Sequence, residues 1–284
     1  MPERSERRIR ATVHYDGQAF HGWQVQPDER TVQGAVEAAL EQLFQRSVRL
    51  AAAGRTDRGV HAAGQEIAFP VPDGWEAGEL RRSVNAVLPS DVWVEKLADA
   101  PQEFHPRFDA TARRYVYLVG TRASSASPLR RGRIWQLCAE PDEPLLARQA
   151  ASLVGERSFR AFAKSGQPER GHRCRVETAR WSRTAAGDLH FVVVADRFLH
   201  HMVRYLVATL MQAATGRRAP EDLPTLLDGG EARPPRPAPP EGLYLTGVRY
   251  AGGWNRPGGV PGLAPPADAG DAAGLRPLDG GEGT

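Results

Sequence analysis

Two strand-like segments, Val176–Arg183 and Leu189–Ala195, follow one another with only Thr184–Asp188 between them. Strands this close in sequence face each other in an antiparallel pair, and that excludes an all-parallel, doubly wound sheet. Other strands are read from alternation: Ile9, Ala11, Val13 and Tyr15, ended by the turn pair Asp16-Gly17, then segments near Val48–Ala53, Gln65–Val71, Asp91–Lys96, Arg113–Val119 and Leu243–Tyr250. Helical spacing places Val32, Ala35, Val36, Ala39, Leu40, Leu43 and Phe44 on one face, and predicts further helices near Glu79–Leu88, Pro144–Gly155 and Phe198–Ala214. Strands outnumber helices and no repeat is visible, so the expected class is α+β with a largely antiparallel sheet.

The folded body is expected to end near Tyr250. Residues 251–284 carry 10 glycines and 5 prolines with few large apolar groups, a composition that cannot offset its own ordering entropy, and a disordered tail is expected there. The remaining body reads as two α+β units, residues 1–108 and 109–250, with a proline-rich linker at Arg233–Pro240. The formal net charge of the chain is +3, with 35 arginines against two lysines. Arginine's planar fork suits phosphate and stacks on bases, so a nucleic-acid partner is permitted.

Several function classes are set aside by what the sequence lacks. The longest wholly apolar run, Phe191–Ala195, is far short of a membrane span, and no apolar stretch follows the charged start, so neither a membrane segment nor a secretory signal is read. The reading is a cytoplasmic protein. Cys138 and Cys174 form no CxxC pair and the eight histidines form no HExxH motif, so no metal is expected. Dinucleotide, Walker-type and α/β-hydrolase motifs are absent, and no cofactor is expected.

Chemistry concentrates at Gly54-Arg55-Thr56-Asp57-Arg58-Gly59-Val60-His61, where a carboxylate stands between two arginines at a strand-to-strand junction. Alone, Asp-X-Gly is an ordinary turn. The chemical reading is an aspartate held ionised by neighbouring positive charge, a nucleophile or base at neutral pH.

Other segments join this one. Tyr15-Asp16-Gly17, Gly22-Trp23-Gln24, Thr31-Val32-Gln33, Phe104-His105, Ala110-Thr111-Ala112-Arg113-Arg114-Tyr115, His201-Met202-Val203-Arg204 and Glu241-Gly242-Leu243-Tyr244-Leu245 stand in the order of the tRNA pseudouridine synthase A family. The sequence resembles that family over residues 8–250. It departs at Arg58, where alanine is usual, and at Ala208, where glycine is common.

The resemblance implies two α+β units sharing one extended, mainly antiparallel sheet with the active-site cleft between them. It implies isomerisation of uridine to pseudouridine at positions 38 to 40 of the tRNA anticodon arm, by a homodimer, without metal or cofactor. On the family pattern Asp57 supports the sugar carbon as the base departs, either bonding C1′ or removing the C2′ proton, and Arg204 is its ion-pair partner. The resemblance further implies that Tyr115 contacts the target base, Leu245 lines the floor and Arg55 enters the RNA near the target; Arg58, a departure from the pattern, is expected to point outward along the RNA backbone. His61 is read as structural and Tyr117 as core. Two alternatives stand beside this reading: a synthase for another RNA position, and a catalytically silent RNA-binding protein or tRNA chaperone on the same scaffold.

Overall fold

The computed structural model describes residues 6–164, 171–230, 234–255 and 275–278. The chain divides into two units, Met1–Thr111 with Tyr244–Pro266, and Ala112–Leu243 with Ala267–Thr284. Both combine helices with a mainly antiparallel set of strands, so the chain is α+β.

The first unit contains β1 (Arg7–Tyr15), the short β2 (Ala51–Ala52), β3 (His61–Val71) and β4 (Val92–Asp99), with helices α1 (Val32–Phe44) and α2 (Ala77–Val87). Strand β1 pairs antiparallel with β3 on one side and β4 on the other. Its alternation is genuine: Ile9, Ala11, Val13 and Tyr15 are all buried. Helix α1 covers the span its periodicity predicts because both ends are fixed locally. Thr31 Oγ1 accepts the Gly34 N–H at 3.3 Å, and Gln45 stops the helix in the left-handed region at φ 53°. Asn85, on α2, both donates to and accepts from the Val94 backbone at 2.8 Å, which ties that helix to β4.

The strand expected over 48–53 shrinks to β2. Glu41 Oε1 accepts the Val48 N–H at 3.3 Å and Glu37 Oε1 accepts the Leu50 N–H at 3.2 Å. Helix side chains thus take the backbone donors that a neighbouring strand would have used.

The second unit contains β5 (Ala112–Gly120), β6 (Trp135–Gln136), β7 (Gly155–Ser158), β8 (Arg173–Thr184) and β9 (Leu189–Ala195), with α3 (Glu143–Ser152), α4 (Met202–Ala214) and α5 (Asp222–Leu227). The antiparallel order is β8-β9-β5. Its register sets Trp181 opposite Phe191 and Phe191 opposite Tyr117, three large rings across one face of the core. Helix α4 begins four residues later than its apolar stripe suggests. His201 adopts φ 65°, a left-handed conformation that no helix can pass through, so Phe198–His200 precede the helix as irregular chain.

The expected units of 1–108 and 109–250 need correction. Strand β10 (Leu243–Tyr250) passes out of the second unit after its first residue and pairs in parallel with β3, Tyr244 opposite His61 and Leu245 opposite Ala62. A parallel partner so far upstream leaves no mark in the local sequence. The tail beginning at 251 is corrected too. Strand β11 (Gly253–Trp254) doubles back on β10, and β12 (Leu275–Pro277) pairs with β8; residues 256–274 and 279–284 lie outside the described residues. Composition misses these contacts because backbone pairing and a few polar bonds make them. Asn255 donates its N–H to the Val248 carbonyl and accepts the Val248 N–H on its Oδ1, both at 3.0 Å, and its Nδ2 donates to Gly64 O and to the buried Glu66 Oε2. Among the described residues, no helix is long and apolar enough to cross a membrane.

Candidate active site

In the first unit, the Asp57 segment is a loop between β2 and β3, and several distant residues fix its path. Gln65, wholly buried on β3, donates from Nε2 to Gly54 O at 2.8 Å. The Thr56 carbonyl accepts the Trp23 N–H at 3.0 Å, and the Phe20 carbonyl accepts the Gly59 N–H at 3.3 Å. Inside the loop, Val60 N–H closes a turn on the Asp57 carbonyl at 3.1 Å. Thr56 is buried and its Oγ1 lies 2.8 Å from the buried Tyr15 hydroxyl.

Gly22 belongs to the same arrangement. Its φ is 95°, and a Cβ there would stand 2.9 Å from the Thr56 carbonyl oxygen and 3.2 Å from the Arg58 nitrogen. Only glycine allows the two loops to approach so closely.

The result is a half-buried Asp57 between two exposed arginines, Arg55 and Arg58, on a loop anchored from below. Neither guanidinium has a hydrogen bond or ion pair among the described residues. His61 begins β3 immediately after the loop. It is buried and stacks on Tyr244 with ring centroids 4.6 Å apart. Its Nδ1 accepts the Gly17 N–H at 3.1 Å and also lies 3.3 Å from Asp16 Oδ1. One nitrogen cannot accept from the first and donate to the second at once. The contact to Gly17 is the shorter of the two. Leu245, fully buried, pairs with Ala62 one residue further along β3. The first unit therefore gathers Asp57, Arg55, Arg58 and Leu245 onto adjoining elements.

Tyr115 and Arg204 belong to the second unit. Tyr115 is nearly buried on β5, its ring edge-on to Phe198 at 4.9 Å. Arg204, in the first turn of α4, is half-buried and donates from Nε to the Ala238 carbonyl at 2.7 Å, while its own carbonyl accepts the Ala238 N–H at 3.0 Å. Tyr117, two residues beyond Tyr115, donates its hydroxyl to the Pro239 carbonyl at 2.6 Å. Burial and the nearby Glu241 raise that phenol well above its ordinary range. Arg204 and Tyr117 thus hold the proline-rich connection leading into β10. Sequence reasoning placed Tyr117 in the core and missed this bond.

Two segments of the chain, residues 11–109 and 149–251, match the family model described as tRNA pseudouridine synthase. The chain belongs to the tRNA pseudouridine synthase family. Among members named tRNA pseudouridine synthase A, that of Chlorobaculum tepidum is 39% identical over 253 residues, which is 87% of this chain and 99% of the relative. The Chlorobium luteolum protein is 40% identical over 86% of this chain and 96% of its own length. That of Thermotoga maritima is 38% identical over 86% of this chain and all of its own. The family match takes in Asp57, Arg204 and Leu245. Tyr115 falls between its two segments. Tyr15, Gly22 and Trp23 lie within the family match, and sequence reasoning gives them no role in the site. They stand in the quoted blocks, but only the fold shows that they lie against the Asp57 loop.

Proposed function

We propose that this protein isomerises uridine to pseudouridine in tRNA, at positions 38 to 40 of the anticodon arm. The observation that carries this reading is a carboxylate on a tightly anchored loop, flanked by two exposed guanidiniums with no ion pair among the described residues, in a chain of this family. The reaction breaks the N1–C1′ bond, turns the uracil and rejoins it through C5. The C5 proton leaves and N1 gains one, so the product has the atoms of the substrate.

Each residue has a part in this scheme. As N1 departs, C1′ gains positive character, and Asp57 stabilises it by bonding C1′ or by removing the C2′ proton. Arg204 is the charge partner that keeps the carboxylate anionic once RNA excludes water. Tyr115 holds the base out of its stack and Leu245 forms the apolar floor. Arg55 and Arg58 contact the RNA backbone beside the target. The enzyme works in the cytoplasm as a homodimer, needing neither metal nor cofactor.

Mapping pseudouridine in bulk tRNA with and without the protein tests the substrate. Modification confined to positions 38–40 supports the reading. Modification at another position points to a synthase of different specificity, and none points to an RNA-binding protein or chaperone. Asp57→Asn tests the chemistry: an amide can neither capture C1′ nor act as a base, so turnover falls at least about a hundredfold while tRNA affinity stays within a few fold.

A further inference from the structure

We propose that Tyr15 and Thr56 are positioning residues for Asp57, acting through the hydrogen bond between their side chains; the proposal rests on the reading of Asp57 as the reacting carboxylate. Asp57 sits on a loop, and a loop holds a carboxylate in one direction only if its backbone torsions are over-determined. The backbone bonds from Trp23 to Thr56 and from Gly59 to Phe20 fix where the loop runs. The first also holds the peptide between Thr56 and Asp57 by its carbonyl, but a plane held at one atom can still pivot about that bond, and the pivot changes the aim of the carboxylate.

The side chain of Thr56 supplies a second anchor against that pivot. It is buried, it immediately precedes Asp57, and its Oγ1 is 2.8 Å from the Tyr15 hydroxyl. Tyr15 is well suited as an anchor. It is the last residue of β1, paired with Ala62 of β3, and its ring lies 5.9 Å from that of Trp23. The strand that holds the phenol is thus the neighbour of the strand that leaves the loop. The Trp23 ring beside it belongs to the residue whose N–H holds the Thr56 carbonyl. One bond couples the aim of Asp57 to the rigid sheet. Neither hydroxyl needs to touch substrate for this.

Steady-state kinetics on tRNA with Tyr15→Phe, Thr56→Val, the double variant and Thr56→Ser test the proposal. Each single loss of a hydroxyl should lower kcat about tenfold, because small misplacements of a reacting group cost one to two orders of magnitude. KM should stay within about twofold, since the bond does not meet the RNA. The double variant should be no slower than the slower single by more than about twofold, because both remove the same bond. Thr56→Ser, which keeps the hydroxyl, should restore kcat to within about threefold of wild type. Melting curves accompany each variant, and Tyr15→Phe, which keeps the ring against Trp23, carries the test should Thr56→Val not fold.

Single variants with kcat within about twofold of wild type, or losses that multiply in the double, overturn the proposal and leave the role of Asp57 standing. An active Asp57→Asn overturns the role of Asp57, and this proposal with it.

Discussion

Arg58 stands where the family usually has alanine, and its surroundings decide between two roles. Its side chain is exposed and makes no hydrogen bond or ion pair among the described residues. A guanidinium directed into the chemistry would have a buried partner, whereas an exposed one beside the proposed reacting loop is placed to meet a phosphate. Such a contact adds affinity without changing the transition state. Arg58→Ala is therefore expected to raise KM and leave kcat nearly intact, and to lower the slope of log affinity against log salt by somewhat under one unit. A hundredfold fall in kcat at constant KM, about 2.7 kcal/mol, would place Arg58 in the reaction instead. At this scale, residues whose signal is local were legible: Asp57 and its arginines lie within four positions of one another. Tyr15 and Thr56 were not, because their bond spans 41 positions and neither residue type announces a partner.

Among the elements, those with local termini were the ones the sequence predicts well. Helix α1 has its own cap at Thr31 and its own stop at Gln45. Helix α4 was placed too early, because an apolar stripe continues through Leu199 and gives no sign of the left-handed His201. The β10–β11 end was lost for a related reason: its value lies in polar bonds to a strand far upstream. Glu66 is buried on β3, accepting from Arg10 Nε at 3.0 Å, Thr12 Oγ1 at 3.0 Å and Asn255 Nδ2 at 2.9 Å. Removing a donor from a buried carboxylate costs about 1–3 kcal/mol. Asn255→Ala should lower the urea midpoint by a corresponding amount, and a chain ending at Tyr250 should lose at least as much, because Trp254 and its stack on Arg249 go as well. Unchanged stability of the shortened chain would show that Arg10 and Thr12 suffice for Glu66.

Stability of the whole molecule should depend on pH through one buried histidine more than through its many surface ion pairs, which contribute little singly. His190, on β9, is wholly buried and neither ring nitrogen has a hydrogen-bond partner among the described residues. Burial, together with the cations Arg114 on β5 and Arg180 on β8, pushes its pKa down from 6.5 to about 3. The folded chain therefore keeps this ring neutral where the unfolded chain protonates it. Stability from His190 is complete above pH 6.5 and declines as pH falls toward 3, by about 1.4 kcal/mol per pH unit. Glu66 works in the opposite sense. Burial raises its pKa despite the Arg10 charge, so its contribution grows as pH falls and offsets part of the loss. Melting temperature measured from pH 8 to pH 4 should fall steadily below about pH 6.5 in the wild-type protein. In His190→Leu, which sacrifices no hydrogen bond among the described residues, the same curve should be markedly shallower, because half-buried His14, also lowered by burial, still acts in the same sense while Glu66 opposes it. Parallel curves for the two proteins would mean that His190 is protonated without cost in the fold, and that water or an anion reaches its ring.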